Sequence, residues 1–552
     1  MFSDADRALS PLLIFVIALG AGLRVAHFFT TGSFFYDEAC VALNLVTRHP
    51  WQLLEPLAYN QAAAPGFLLL EQCLIHFFGT SELVFRLPAL VSSIAVLILL
   101  AIFCEKLFNR WLAIVAVAVL AVSGLAIFSA SELKPYSMDA ALTLWMMLRF
   151  HFVSLDPTAK KQWILFLVSG VIALLLSQAI ILVLLSLGLL LAVVKFREMR
   201  SAVRAGLVVV TWLGLFSFLY FSIYHFEGNA FYIKAFWSDQ ILSVLKPHFA
   251  GRAGEALRSL LPWSLDSLSY LHEGGLIFIS AVGLYFTAKR AGVIWAAALT
   301  LPYVAVILAS ALGLFPIAPR LLLFVIPLLV VLVAAGFESL LAMKLRSPLY
   351  RFCLAVAVSF IIGSGTLHVY AWRQKHFPRL YKSLISQSRT ASNCAAVYVP
   401  VFSIPVWEFY TRDAGMEGVP SAETYQRVLE QDCKRAFAED PEPPLPQSLR
   451  VYHYGCKPLI LGELPMHDFS GHVSRQTWAR SELTRMRDSG ASSAYVFDEL
   501  DPGDELQALL DEAGNMGANV QKLGGGHPYL GYLGKIDFAS SGNVLSPRPP
   551  GP

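Results

Sequence analysis

Charge is what this 552-residue chain has least of. Asp, Glu, Lys and Arg make up 15% of it and hydrophobic residues 56%, whereas an ordinary soluble domain is about 25% charged. Such a composition, with a mean hydropathy of +0.58, excludes a wholly soluble protein. The net charge of +3 is too small to hold a polyanionic backbone, so no nucleic-acid partner is expected. Seven cysteines are scattered without metal-ligand spacing, which excludes a zinc or cluster motif. No internal repeat is present, so a solenoid is excluded. The polar C-terminal third lacks a P-loop, a nucleophile elbow and a metal-binding string.

What is there instead is long apolar runs, nearly all before residue 373. A membrane-spanning helix needs about 20 mostly apolar residues. Eleven segments qualify, near 9–27, 87–104, 111–128, 138–153, 163–177, 179–194, 205–222, 273–287, 292–312, 321–343 and 352–372. The pair 163–177 and 179–194 is one apolar run, divided by a tight turn expected at Ser177-Gln178. The first segment is too long, and too poorly followed by a small-residue cleavage site, for a removable leader. With the N-terminus inside, the inner connections gather Arg7, Lys106, Arg110, Lys160, Lys161, Lys195, Arg197, Arg200 and Arg204. The positive-inside rule therefore puts the N-terminus in the cytoplasm. An odd number of spans puts residues 373–552 outside.

The expected fold is a polytopic α-helical membrane protein of about 11 transmembrane helices plus a C-terminal soluble α/β domain. Its boundaries are read as 1–372 for the membrane part, 373–538 for the α/β part and 539–552 for a disordered tail. The tail domain alternates strand-like runs (395–401, 449–455, 493–499) with helix-like ones (421–437, 504–514), a pattern that suits a mixed sheet. Cys394, Cys433 and Cys456 lie in it, where one disulfide can persist.

The outer loops carry the polar chemistry. The first, about 28–86, holds FFYDEAC with Asp37 and Glu38, an amphipathic stretch at 38–48, and PGFLLLEQCLIHFFG at 65–79. The last is too short to span and reads as an interfacial helix opened by Pro65 and closed by Gly79. The aromatics of FFYDEAC read as an interfacial seat at the height of lipid phosphates. The second loop, SELKPYSMD, packs Glu132, Lys134, Tyr136 and Asp139 beside the bilayer, with Pro135 ending any helix that enters it. The fourth (223–272) is aromatic-rich, and the fifth ends on Arg320 at the start of the tenth span.

In sequence order, YDEA, then APGFLLLEQCLIHFFGTSELVFRLPALVSS, then SELKPYSMD resembles the C-type membrane glycosyltransferases of the protein O-mannosyltransferase and aminoarabinose-transferase kind. The resemblance covers about 30–145. It implies inverting transfer of a sugar from a polyprenyl-phosphate donor on the outer face, with bacterial inner-membrane residence. The acceptor is a glycan, a lipid or a protein. Carried over, Asp37 is the general base with Glu38 beside it. The second-loop acid is Asp139, with Glu132 as competitor. Lys134 is a candidate donor-phosphate contact, and from the loops themselves Arg320 and Tyr136 are candidates beside it.

The chemistry is compatible with that assignment. A sugar phosphate is already a good leaving group and needs only a cation or metal to stabilise its charge, while the acceptor hydroxyl needs one base. A divalent cation, Mg or Mn, on Asp37 or Asp139 would be an addition. Each residue also has a plainer reading: Asp37 as N-cap of helix 38–48, Glu38 as a first-turn helix acid, Asp139 as cap of span four, Lys134 as a snorkelling lysine, Arg320 as a span anchor. Arg24 and Arg86 read as anchors or loop-packing partners, and Trp237 as a belt aromatic. Two other function classes fit the same loops: a transporter or flippase of a lipid-linked substrate, and a non-catalytic membrane assembly protein.

Overall fold

A computed structural model describes residues 11–195, 199–227, 236–242, 272–344, 381–390, 395–412, 421–437, 450–454, 457–463, 474–498, 504–525 and 532–538, with isolated positions between them. The segment 352–372 falls almost wholly outside these residues. So do most of 223–272, the tail 539–552, Cys394 and Cys456. Cys433 is a buried free thiol.

The N-terminal part is helical. Its elements are α1 (Pro11–Phe28), α2 (Tyr36–Thr47), α3 (Pro65–Phe78), α4 (Glu82–Leu107), α5 (Arg110–Ala121), α6 (Gly124–Phe128), α7 (Tyr136–Leu155), α8 (Lys160–Leu176), α9 (Ile180–Lys195), α10 (Met199–Leu219), α11 (His272–Arg290), α12 (Val293–Ala311) and α13 (Ile326–Lys344). Among the described residues four helices are long and apolar enough to cross a membrane: 11–28, 82–107, 201–224 and 293–311. The pair 110–121 and 124–131, bent by 68°, makes a fifth if it is one span. The other expected spans coincide with α7, α8, α9, α11 and α13, which are shorter or less apolar.

The local signals explain most of these boundaries. Ser81 and Asn109 accept from the amides of Val84 and Leu112 and so cap α4 and α5. Ser177 accepts from the Ile180 amide at 3.2 Å and makes the turn that separates α8 from α9. Gly79 closes α3 at φ +86, where a side chain is disfavoured. The Arg320 stretch differs from expectation: Pro319–Leu322 is a 3₁₀ turn, and the helix begins only at Ile326.

One break is rescued by a distant residue. Between α5 and α6 the chain bends, and the carbonyls of Leu120 and Ala121 leave the regular ladder, Leu120 O keeping a long 3.4 Å bond from the Ser123 amide. The Arg24 guanidinium, buried on α1, donates to both (3.0 and 3.1 Å), to Gly20 O and to Ser93 Oγ. A buried charge thus satisfies the backbone of a broken helix. Elsewhere, α11 and α13 lie in backbone contact. A Cβ on Gly283 would meet Leu332 O, and one on Gly336 would meet Ile279 O.

The C-terminal part contains α14 (Tyr381–Thr390), α15 (Ile404–Thr411), α16 (Ala422–Phe437), α17 (Arg475–Asp488) and α18 (Asp504–Asn515). Its strands are β1 (Ala396–Pro400), β2 (Val451–Tyr454), β3 (Lys457–Gly462), β4 (Ser493–Asp498), β5 (Asn519–Gly525) and β6 (Tyr532–Asp537). They form one mixed sheet in the order β2-β3-β1-β4-β6-β5. The three central strands run parallel and the outer pairings are antiparallel. Arg450 and Arg485, both buried, bind Asp432, Glu463 and Glu482, and Tyr398 donates to Glu482. Those bonds tie α16 and α17 to the sheet.

A single core joins this domain to the loop between α1 and α4. Phe34 is wholly buried, with its ring 5.4 Å from Phe85 and 4.9 Å from Phe409. Its amide donates to the Tyr410 hydroxyl at 2.7 Å, and the Tyr425 hydroxyl donates to that of Tyr36 at 3.2 Å. The aromatics of FFYDEAC therefore seat the α/β domain and do not face lipid, which corrects the sequence reading. Exposed aromatics of the loop include Phe29, Trp51, Phe77 and Phe78, and the last two lie on α3, as an interfacial helix requires.

Candidate active site

Asp37 and Glu38 are consecutive in the first turn of α2, so their side chains leave the helix about 100° apart. That angle sends them to different environments. Glu38 turns inward, and its two oxygens take Nε and Nη2 of Arg86, each at 2.8 Å, with both side chains almost fully buried. Glu38 also accepts from the amides of Phe35 (3.1 Å) and Leu133 (3.0 Å). Arg86 donates further to the carbonyls of Gly32 and Ser33. The arrangement fastens the segment 32–38 that opens α2, the start of α4 and the 129–135 loop together. It also gives the helix-start duty to Glu38: among the described residues Asp37 makes no capping bond at the start of α2, so its plainer reading fails.

Asp37 turns the other way. Its Oδ2 accepts from Arg320 Nη1 at 2.9 Å, and the side chains are 24% and 31% exposed, open enough for a ligand to reach. Two prolines, Pro316 and Pro319, shape the turn that presents Arg320. The Trp237 ring lies 5.5 Å from the guanidinium carbon and backs it on another side.

Tyr136 is buried at the first position of α7, just after Pro135. It lies in the electrostatic field of Arg320, Glu132, Asp37 and Asp139. Asp139 follows three residues later on the same face of the helix, and only 6% of it is exposed. Its Oδ1 has no hydrogen-bond partner among the described residues, while the Ser177 hydroxyl approaches the same carboxyl group. Lys134 points elsewhere: its ammonium donates to Gln61 Oε1 at 2.8 Å.

Of the six residues expected from the sequence, the structure brings Asp37, Arg320, Tyr136 and Asp139 into one neighbourhood. Glu38 lies behind them in a closed ion pair, and Lys134 is held to one side by Gln61. The loop-packing reading of Arg86 and the belt reading of Trp237 become specific: one binds Glu38, the other stacks on Arg320. Four residues had no signal in the sequence. Tyr59, Gln61, Glu408 and Gln426 form a polar link described below, and only Asn60, tolerant of left-handed backbone, hinted at a turn there.

Among the described residues no ligand set for a divalent cation is assembled around Asp37 or Asp139. Asp37 already carries a guanidinium, and the described residues contain no group of three or more His, Cys, Asp or Glu side chains placed to hold an ion.

No family model matches the chain, and no curated protein sequence does. Solved structures do. The chain is similar to apo ArnT from Cupriavidus metallidurans (13% identity, 95% of this chain and 97% of that one, TM-score 0.48) and to the same protein bound to undecaprenyl phosphate (15%, 97% and 99%, 0.43). It is also similar to the oligosaccharyltransferase of Archaeoglobus fulgidus in complex with Zn and sulfate (14%, 72% of this chain, TM-score 0.47), of whose length it covers 61%. At this level the likenesses give no residue a role.

Proposed function

We propose that the chain is an inverting glycosyltransferase, taking a sugar from a polyprenyl-phosphate donor at the outer membrane surface, with Asp37 as general base. The observation that carries this reading is the half-open Asp37–Arg320 pair, backed by Trp237 and set beside Tyr136. Asp37 and Tyr136 lie in the loops whose motifs resemble the C-type membrane glycosyltransferases.

The pair supplies both functions the reaction needs. A donor phosphate competes with Asp37 for the guanidinium, because its oxygens match the arginine fork and carry more charge. Once Arg320 moves to the phosphate, Asp37 is released as a free carboxylate within reach of an acceptor hydroxyl. The acceptor oxygen then bonds to the anomeric carbon from the face opposite the phosphate, and its proton passes to Asp37. The carbon–oxygen bond to phosphate breaks, and the charge left on polyprenyl phosphate is held by Arg320 and the Tyr136 hydroxyl. Asp139, a second acid on the face Tyr136 opens, is assigned to the acceptor side. Lys134 lies at the edge of the site as a further phosphate contact. Glu38 has no part in the chemistry and keeps α2 in place. In this reading the N-terminus is cytoplasmic and the α/β domain extracytoplasmic.

The test is transfer by the purified chain in lipid nanodiscs. The donors are those lipid-linked sugars that mass spectrometry finds accumulating in cells lacking the gene. Asp37→Asn is expected to lower turnover by about 10²–10⁴-fold, the usual contribution of a positioned base, while leaving folding intact. Full activity in that variant would sink the assignment. Movement of the intact lipid across the bilayer, unaffected by the substitution, would establish a flippase instead.

A further inference from the structure

The only described non-glycine residues with positive φ are consecutive: Tyr59 (φ 62) and Asn60 (φ 52). Left-handed backbone disfavours a tyrosine, so a turn of this kind persists only where its surroundings over-determine it. The surroundings here belong to the α/β domain. The Tyr59 hydroxyl donates to both oxygens of Glu408 on α15, at 3.0 and 2.9 Å. The amides of Tyr59 and Asn60 donate to the side-chain oxygen of Gln426 on α16, at 3.0 and 3.3 Å, with that amide oriented by its partners. The Tyr59 ring packs 5.4 Å from that of Tyr425. On its other side the turn holds Gln61: Gln61 Nε2 donates to Tyr59 O at 3.2 Å, and Gln61 Oε1 accepts from the Lys134 ammonium at 2.8 Å.

These bonds are more than the domain needs for docking. The shared apolar core around Phe34 already seats it, and a plain loop would serve to cross residues 59–61. What the strained turn adds is a fixed place for Gln61, whose amide oxygen then accepts from the Lys134 ammonium. We infer that Glu408 and Gln426 are positioning residues for Lys134: they hold the Tyr59-Asn60 turn, the turn holds Gln61, and Gln61 sets the ammonium at the edge of the active site. That Lys134 meets a lipid phosphate rests on the function proposed above; the chain of contacts does not. The α/β domain thus acts on the site without touching substrate.

Two measurements on the full chain in nanodiscs separate these layers. In the first, a short pulse of an amine-acetylating reagent is followed by mass spectrometry of Lys134, with Lys106 as internal reference. Glu408→Ala and Gln426→Ala are expected to raise the labelling of Lys134 by about two- to tenfold, the change in equilibrium that one net hydrogen bond brings. Tyr59→Phe is a milder variant with the same direction, and Glu408→Gln, which still accepts from Tyr59, restores slow labelling. Unchanged Lys134 labelling in all three disrupting variants overturns the inference. The second measures binding of undecaprenyl phosphate. The disrupting variants are expected to bind several-fold more weakly, and in a Lys134→Met background they have no further effect. Weakening that persists in that background overturns the route through Lys134. If labelling rises but the unmodified chain binds no undecaprenyl phosphate, the positioning chain stands and the polyprenyl-phosphate reading fails.

Discussion

Glu38 gives both carboxylate oxygens to Arg86 in a site closed to water, whereas Asp37, one residue earlier, gives one oxygen to Arg320 in a pair about a quarter exposed. The two acids have nearly the same chemistry and share a helical turn. What separates them is the 100° between successive helix positions, which puts one against the core and the other at an opening. A closed, bidentate, multiply bonded pair is a fastening; an open, single-contact pair can exchange partners. Adjacent carboxylates therefore need not share a function.

The comparison breaks most visibly at Glu38. Glu38→Gln keeps the shape and removes the charge, leaving the Arg86 guanidinium buried and uncompensated, which is expected to cost about 3–5 kcal/mol. Thermal unfolding in detergent should show it. The same change at Asp37 is expected to move stability by less than about 1 kcal/mol, because Arg320 keeps access to water and to Trp237. Equal losses of stability at the two positions would erase the distinction. A third guanidinium sharpens it: Arg24→Met strips donors from two carbonyls at the α5 break, and a net loss of about 2 kcal/mol is expected. No change in unfolding temperature would mean that the bend is held by packing alone.

A last effect concerns pH. Burial pushes the Glu408 carboxyl from its ordinary 4.5 up to about 7, against the opposing hydrogen bond from Tyr59; Arg48 and Cys40 are the other titratable groups near that tyrosine. A carboxyl raised on folding contributes stability that is fully present below about 4.5 and is lost as the pH climbs through about 7. Between pH 5 and 8 the unmodified chain should therefore lose stability relative to Glu408→Gln. Parallel stability curves for the two would show that Glu408 is ionised throughout.

Much of the architecture was legible because it depends on local periodicity and on single residues with strong conformational rules. Pro65 and Gly79 bracket α3, Pro135 precedes α7, Ser177 splits a long apolar run, and the strand-like stretches at 395–401, 449–455 and 493–499 all pair into the sheet. The strands β3, β5 and β6 were not read, since short runs interrupted by proline, glycine and charge carry a weak period-two signal. The bend between α5 and α6 was missed because nothing in LAVSGLA demands it; the donor that permits it is ninety-six residues away, on Arg24. The site followed the same division. Asp37, Tyr136, Asp139, Lys134 and Arg320 can be named from loops and resemblance, while the Gln61 that holds Lys134 cannot.

By itself the sequence determined that the chain is apolar and helical in its first two thirds and carries a polar α/β part after them. It also determined that the acids and cations worth attention lie in a few short loops, because hydropathy and turn chemistry act over a handful of neighbouring residues. Only the tertiary structure decided which carboxylate is open and which is closed, that the aromatics beside them seat a domain, and that Glu408 reaches Lys134 through a strained turn. Those outcomes depend on which distant groups meet, and a charge or an aromatic ring takes its role from its partner and its access to water.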